Sequence, residues 1–310
     1  MTATESSVAA LEVAAVEPRP PMPSNALADY WALTKPEVNL LIVITTWAGF
    51  CLGRPSPSHP FPFLLLIHTL LGTLLVAAGT ATLNQYMERR FDAQMRRTAR
   101  RPLAAGRIEP WGALWFGVLL SCAGGLYLAV AVNRLASLLA VLTLVSYLFL
   151  YTPLKRKTPF CTLVGAFPGA MPPLIGWAAA SGKLSLEAWV LYAMLFLWQF
   201  PHFMAIAWMY REDYSRAGYL VLPLGERRGA FAAWQSLAPA AALVPLSLTP
   251  SILFHAGSFY SVGALLLSSS FLYFGARLAL RRSNLMARQL LLASIVYLPL
   301  VFVLMMLDKV

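Results

Sequence analysis

Long apolar runs, most of them about 20 residues in length, decide what this chain can fold into. They fall at roughly residues 37–54, 62–87, 111–133, 135–152, 159–180, 185–210, 229–248, 257–279 and 287–307. Only 12% of the residues are charged, which is too few to cover a soluble globule. Lipid offers no water to unpaired backbone groups, and the runs are too long for barrel strands. The sequence therefore predicts an all-α integral membrane protein with nine transmembrane helices.

The basic residues indicate which way the predicted helices cross the bilayer. The chain has 24 Lys and Arg against 13 Asp and Glu, a balance that in a soluble protein would favour nucleic-acid binding. With a cytoplasmic N-terminus, however, 20 of the 24 bases fall in cytoplasmic segments, alternating loop by loop. This pattern predicts that orientation and accounts for most of the positive charge without a nucleic-acid partner.

The chain divides into a short tail and one membrane domain. Residues 1–28 carry three acids before the first base, several prolines and no apolar core. They match neither a secretory signal nor a transit peptide, and we predict a disordered N-terminal tail. Residues 29–310 form the predicted nine-helix domain. Its cysteines lie in apolar runs without metal-ligand spacing, which is typical of buried packing thiols.

Three polar residues stand where the second run leaves the bilayer. Asn84, Glu88 and Asp92 follow one another at four-residue spacing, which places them on one helix face and forms what we call the ladder. Hard oxygen ligands of this kind suit Mg²⁺ together with substrate phosphates, and the arginines that follow could bind those phosphates. The alternative is a solvated helix end with Glu–Arg pairs. Asn84 lies deep in the apolar run and needs a partner, which favours a functional site.

A second charged cluster follows the sixth run. Arg211, Glu212 and Asp213 combine acids and a base at a helix end that we predict to be cytoplasmic. On a continuous helix, His202 and Asp213 would share one face. A surface charge cluster, and a histidine hydrogen-bonded between helices, are the structural alternatives.

Other positions allow a topological or a functional interpretation. Lys35, at the start of the first run, and Lys155 with Arg156, after the fourth, satisfy the positive-inside pattern and could equally bind phosphate. Gly165 and Gly169 have the spacing of close helix packing. The sequence contains no GxxxxGK[ST], HExxH or GxSxG motif, so the soluble chemistries that depend on them find no support.

Five stretches together resemble the UbiA-type membrane prenyltransferases, in the branch that modifies heme. They are the ladder with Met95, Arg97, Thr98, Arg101 and Pro102; Leu33 to Pro36; Tyr151 to Thr158; Gly169 to Trp177; and Trp198 to Phe203 followed by Tyr210 to Gly218. The resemblance covers about residues 29–307. Glu37 and Cys161 depart from the residues usual in that family. Tyrosines flank Asp213 where quinone-type relatives have paired acids, which favours the heme branch.

The resemblance implies both a fold and a reaction. The fold is nine helices around a central cavity, multi-pass in the cell inner membrane, with the active site on the cytoplasmic side. The reaction transfers a farnesyl group from farnesyl diphosphate to the 2-vinyl group of heme B, with addition of water, and gives heme O and diphosphate. Heme O would then pass to a heme A synthase or a terminal oxidase.

Site roles follow as hypotheses from the resemblance and the charges. The proposed Mg²⁺ ligands are Asn84, Glu88, Asp92 and Asp213. The proposed diphosphate ligands are Lys35, Arg97, Arg101, Lys155, Arg156 and Arg211. His202 is interpreted as a heme contact. Two other functions stay open: prenylation of an aromatic quinone precursor, and secondary transport, which the clustering of acids at one membrane face disfavours.

Overall fold

The computed structural model describes residues 25–54, 60–225, 227–253 and 256–308, and these are largely helical. The helices are α1 (Ala26–Leu33), α2 (Pro36–Gly53), α3 (Phe63–Asp92), α4 (Pro110–Ala131), α5 (Arg134–Val145), α6 (Thr152–Leu154), α7 (Cys161–Gly169), α8 (Pro172–Ser181), α9 (Leu186–Met209), α10 (Arg211–Arg216), α11 (Arg227–Leu246), α12 (Thr249–Leu253), α13 (Ser258–Arg281) and α14 (Asn284–Leu307). A π-helix, Ser146–Tyr151, joins α5 to α6.

Nine segments among the described residues are long and apolar enough to cross a membrane, as the sequence predicts. They are Pro36–Gly53, Phe63–Asp92, Pro110–Ala131, Arg134–Leu154, Cys161–Ser181, Leu186–Met209, Arg227–Leu253, Ser258–Arg281 and Asn284–Leu307. Helix α1 precedes the first of them and includes residues 26–28, the end of the predicted tail. Residues 1–24 of that tail lie outside the described residues.

The spans follow one another in a succession of contacts that closes on itself. Helix α3 packs against α2 and α4, α5 contacts α4 and α8, and α9 contacts α8 and α11. Helix α13 lies between α11 and α14, and α14 contacts both α9 and α2. The first and last spans therefore meet, although they are far apart in the sequence.

The fifth span consists of two helices. Helix α7 ends at Gly169 and α8 begins at Pro172, which has no N–H to continue the helical hydrogen bonding. Gly165 lies against the ring of Tyr151, and Gly169 lies against the side chain of Gln199, so a Cβ at either glycine would overlap its neighbour. The predicted role of these glycines in close helix packing is confirmed.

The order of the spans brings the predicted site segments to one side of the bundle. Consecutive spans cross in opposite directions, so the start of the first span and the ends of the second, fourth and sixth lie on the same side. Lys35, Asp92, Lys155 and Tyr210 stand at or next to these four ends. Residues from four distant parts of the sequence can therefore contribute to one site.

We expect Gly176→Ala to destabilise the contact between α2 and α8. A Cβ at this position would overlap the carbonyl oxygen of Thr46, and backbone atoms cannot swing aside as a side chain can. Overpacking of this kind costs about 1–3 kcal/mol, which should lower the Tm of the protein in detergent. Gly125→Ala is the matched control, because its added methyl would meet only a Val141 side-chain carbon at 3.3 Å. An unchanged Tm for Gly176→Ala would contradict this account of the packing.

Candidate active site

The ladder lies on the last three turns of α3, as the four-residue spacing predicts. Asn84, Glu88 and Asp92 are 1%, 5% and 1% exposed. The alternative of a solvated helix end is therefore wrong, because neighbouring segments cover both carboxylates. A carboxylate in such surroundings is costly unless cations or hydrogen-bond donors compensate it.

Two lysines from other segments form hydrogen bonds with the first two side chains of the ladder, Asn84 and Glu88. The Nζ of Lys35 donates to Asn84 Oδ1 at 2.9 Å, and the Nζ of Lys155 donates to Glu88 Oε1 at 2.8 Å. The Asn84 amide donates in turn to Glu88 Oε2 at 3.0 Å and to Thr152 Oγ1 at 3.2 Å. The buried side chain of Asn84 thus has three hydrogen-bond partners, which are Lys35, Glu88 and Thr152.

Asp92 has one paired and one unpaired carboxylate oxygen. Its Oδ2 accepts from Arg101 Nη1 at 2.8 Å, and Thr98 Oγ1 donates to its backbone carbonyl at 2.9 Å. Its Oδ1 is buried and has no hydrogen-bond partner among the described residues. An unsatisfied buried acceptor is rare and costs about 1–3 kcal/mol. This oxygen is therefore available to a ligand that donates or carries positive charge.

The donor set of the ladder fits Mg²⁺. Glu88 and Asp92 offer hard carboxylate oxygens, and Mg²⁺ sites commonly use one or two carboxylates with substrate phosphates as further ligands. The unpaired Oδ1 of Asp92 is a free position for such an ion. Lys35 already occupies the amide oxygen of Asn84, so the two carboxylates are the better ligands.

A strained corner between α1 and α2 places Lys35 at the ladder. Lys35 has φ 51° and ψ 63°, a left-handed conformation that costs a side-chain-bearing residue about 1–2 kcal/mol. Buried amides on each side fix this corner: Gln85 Nε2 donates to the Leu33 carbonyl at 2.8 Å, and Asn39 Nδ2 donates to the Thr34 carbonyl at 2.7 Å. Sequence analysis missed both amides, although each is a buried polar residue in an apolar run.

The two lysines differ in how firmly they keep their charge. Burial, and the nearby charge of Arg101, lower the pKa of Lys35 to about 7. Burial also opposes the charge on Lys155, but the Glu88 carboxylate outweighs it and holds the pKa of Lys155 well above its ordinary value. Lys35 therefore gains the more from an incoming anion, since an opposite charge favours the protonated amine.

Aromatic rings that the sequence analysis did not assign to the site surround Lys155. Its Nζ lies 4.6 Å from the ring centroid of Tyr151 and 6.0 Å from that of Tyr219. The ring centroids of Tyr147 and Tyr151 are 5.1 Å apart. Both residues belong to the π-helix, a distortion often found at functional sites. Burial and the Glu88 carboxylate raise the pKa of Tyr219, so that its phenol stays neutral.

The helix that carries His202 does not continue to Asp213. Helix α9 ends at Met209, and Tyr210 adopts φ −106° and ψ 21° before α10 begins. The prediction that His202 and Asp213 share one face of a continuous helix is therefore wrong. His202 Nδ1 lies 2.8 Å from Ser294 Oγ, and its ring stacks on Trp198 at 4.7 Å. This is the interhelical hydrogen bond of the structural alternative, and contact with heme stays a prediction.

Asp213 connects the arginine-rich loop after α3 to α10. Its Oδ2 accepts from the backbone N–H of Arg97 at 3.2 Å, and its Oδ1 accepts from Arg216 Nη1 at 3.1 Å. Within the described ranges, no three His, Cys, Asp or Glu side chains converge in an arrangement that could hold a metal ion. Both carboxylate oxygens of Asp213 are hydrogen-bonded, Oδ2 to the loop and Oδ1 within α10, in contrast to those of Asp92.

The six predicted diphosphate ligands separate into two groups. Lys35, Arg101 and Lys155 meet at the ladder, whereas the other three have different partners. The guanidinium of Arg97 lies 5.0 Å from the ring centroid of Tyr210, and that of Arg156 lies 4.1 Å from the ring centroid of Phe91.

Arg211 lies against a different helix from the ladder cations. Its Nη1 donates to Asn284 Oδ1 at 2.6 Å and to the Trp208 carbonyl at 2.8 Å. It therefore contacts the start of α14.

Comparison with known proteins identifies the family to which this chain is similar. The model of the UbiA prenyltransferase family matches residues 42–303. A protoheme IX farnesyltransferase of Solibacter usitatus is 51% identical over 91% of this chain and 99% of its own length.

Solved structures share the fold at low sequence identity. Digeranylgeranylglyceryl phosphate synthase superposes with a TM-score of 0.73 at 19% identity, over 91% of this chain and 98% of its own. A UbiA homolog from Archaeoglobus fulgidus bound to GPP and Mg²⁺ gives a TM-score of 0.59 at 16% identity, over 89% and 99%. The resemblance seen in the sequence motifs is confirmed, and the chain belongs to the UbiA prenyltransferase family.

Proposed function

We propose that this chain transfers the farnesyl group of farnesyl diphosphate to the 2-vinyl group of heme B, with addition of water, giving heme O and diphosphate. The relative from Solibacter usitatus, named protoheme IX farnesyltransferase and 51% identical, supports this pair of substrates. The observation that carries the chemistry is the buried ladder, whose three side chains pair with cations from three separate segments.

The cations at the ladder are suited to a diphosphate leaving group. Lys35, Arg101 and Lys155 come from different segments and are oriented before substrate arrives. Negative charge grows on diphosphate as the bond to C1 of the farnesyl group breaks. Fixed positive groups in a low-dielectric site stabilise that charge more than mobile water does, and such preorganisation is usually a large catalytic contribution.

The carboxylates of the ladder would hold Mg²⁺. We assign it to Glu88 and Asp92, beside Asn84, because these oxygens are hard and Asp92 Oδ1 has no partner among the described residues. When bound, the ion neutralises charge on the leaving diphosphate. The solved homolog from Archaeoglobus fulgidus, bound to GPP and Mg²⁺, is consistent with this assignment.

The tyrosines next to Lys155 would receive the prenyl cation. Departure of diphosphate leaves an allylic cation, and the ring faces of Tyr147 and Tyr151 can stabilise positive charge. The heme vinyl group then supplies the electron pair for the new bond to C1. Water adds to the resulting cation beside the porphyrin and loses a proton, which completes the hydroxyethylfarnesyl group.

We place the active site on the cytoplasmic side of the cell inner membrane. The ladder lies on the side of the bundle that carries most of the bases, and the positive-inside rule assigns that side to the cytoplasm. Heme O leaving this site would be available to a heme A synthase or a terminal oxidase.

The function is tested by incubating purified protein with heme B, Mg²⁺ and prenyl diphosphates of several lengths. We expect the pigment to gain the mass of a farnesyl group plus a hydroxyl group. Parallel reactions offer an aromatic acid in place of heme. Prenylation of that acid, with heme B unchanged in mass for every diphosphate, would establish the quinone-precursor alternative instead.

Removing one charge from the ladder should abolish most activity. We expect Glu88→Gln and Asp92→Asn each to lower kcat/KM by about 100-fold or more, the usual effect of losing one strong electrostatic contact at a reacting group. Heme O formation is measured per folded protein across a Mg²⁺ titration, because loss of a buried charge also affects stability. The control is Glu109→Gln, because Glu109 is an exposed acid at the end of the loop between α3 and α4. Near-normal turnover in either ladder variant would refute the metal assignment.

Asp213→Asn should have a smaller effect, of a different kind. The amide can still accept from the Arg97 N–H, but it loses the half-exposed ion pair with Arg216, and we expect turnover to fall about tenfold or less. The Mg²⁺ midpoint should stay at the wild-type value, unlike that of Asp92→Asn. Glu212→Gln, with its side chain 80% exposed, is the matched control. A midpoint shifted as in Asp92→Asn would make Asp213 a metal ligand.

Lys35→Gln should weaken the use of farnesyl diphosphate and spare the use of heme. A charge-assisted hydrogen bond contributes about 1.5–3 kcal/mol, so we expect the KM for farnesyl diphosphate to rise about tenfold or more. Gln can still donate to Asn84, which preserves the fold of the corner. The exposed Lys157→Gln controls for the change in net charge. If Lys35→Gln instead raised only the KM for heme, its assignment to diphosphate would be wrong.

A further inference from the structure

A cleft where α10 approaches the start of α11 contains two arginines that the ladder does not use. Arg211 and Arg228 line it together with the hydroxyl-bearing side chains of Tyr214, Ser215 and Tyr219 and two leucines. Arg211 is the first residue of α10, and Arg228 lies in the first turn of α11. The chain therefore folds back to place two guanidinium groups at one cleft.

Neutral groups fix Arg211 without cancelling its charge. Its Nη1 donates to the Trp208 carbonyl and to Asn284 Oδ1. Its acidic neighbour is Glu212, at 3.9 Å with 80% of the side chain exposed, a pairing that water largely screens. Its positive charge remains available to an anion.

Arg228 is in a similar position. Its Nε donates to the Pro223 carbonyl at 3.4 Å, which orients the guanidinium and leaves it charged. None of the described lining residues is acidic, whereas both carboxylates of the ladder face cations. Among the described residues, the cleft thus presents two half-buried positive groups with no acidic side chain in its lining, an arrangement that favours a ligand with two negative groups.

The rest of the lining indicates what kind of ligand carries those groups. Leu222 and Leu224 add apolar surface, which a free diphosphate would not require. Tyr219 belongs both to the cleft and to the surroundings of Lys155, whose Nζ lies 6.0 Å from its ring centroid. The cleft therefore lies next to the surroundings of the ladder.

We propose that Arg211 and Arg228 bind the two propionate carboxylates of the heme substrate, an inference that rests on the proposed function. Arginine suits this task, because its planar fork binds carboxylates with two parallel hydrogen bonds. Both propionates project from one edge of the macrocycle. Holding that edge in the cleft directs the opposite edge of the macrocycle, which carries the vinyl groups, away from these arginines.

The experiment compares heme B with its dimethyl ester, in which both carboxylates are masked. Wild type is measured beside Arg211→Gln, Arg228→Gln, the double variant and the exposed control Arg90→Gln. We expect the wild-type KM for the ester to exceed that for heme B by about tenfold or more, the effect of losing charge-assisted hydrogen bonds. In the double variant the KM for heme B should rise to match that for the ester. The KM for farnesyl diphosphate should not change.

The outcomes separate this inference from the proposed function. If the wild-type KM for the ester equals the KM for heme B, the inference is overturned. This measurement does not depend on whether any variant folds. If the double variant raises only the KM for farnesyl diphosphate, the cleft binds diphosphate and the inference is again overturned. Absence of heme O from the wild-type reaction with heme B would instead refute the proposed function.

Discussion

The burial of two carboxylates on one face of α3 is the constraint on which the rest of the site depends. Glu88 and Asp92 would be too costly in the interior of a helical bundle without compensation. Lys155 and Arg101 provide it, and each comes from a different connection between spans. Charge pairing in a low-dielectric interior therefore determines how these connections lie over the bundle.

The same charges can serve both the free protein and the substrate complex. In the free protein the cations pair with ladder oxygens. In the complex that we propose, Lys155 and Arg101 would lie beside the diphosphate oxygens, and Glu88 and Asp92 would hold a divalent cation. Backbone groups also hold these connections in place, as in the bonds from Arg97 N–H to the Asp213 carboxylate and from Leu220 N–H to the Lys155 carbonyl.

Features that depend on neighbouring residues in the chain could be predicted from the sequence, whereas features that depend on tertiary contacts could not. Lipid forces apolar runs into helices, so all nine spans could be located, and four-residue spacing was enough to align the ladder. The partners of a base depend on tertiary geometry. Lys155 and Arg211 look equivalent in the sequence, yet one faces a carboxylate and the other faces Asn284. The break at Tyr210 has no such local signal, since no proline or glycine marks it.

Among the cations at the ladder, Lys35 gains most from an anionic substrate. Lys155 and Arg101 already face carboxylates, so a diphosphate must compete for them, whereas the partner of Lys35 is the neutral amide of Asn84. Its strained backbone and its pKa of about 7 are unfavourable in the free protein. A phosphate oxygen would favour the charged amine, and Gln85 and Asn39 hold the corner in place meanwhile. Of the three cations that we propose to bind diphosphate, Lys155 and Arg101 therefore also compensate carboxylates in the free protein, whereas Lys35 has no such second role.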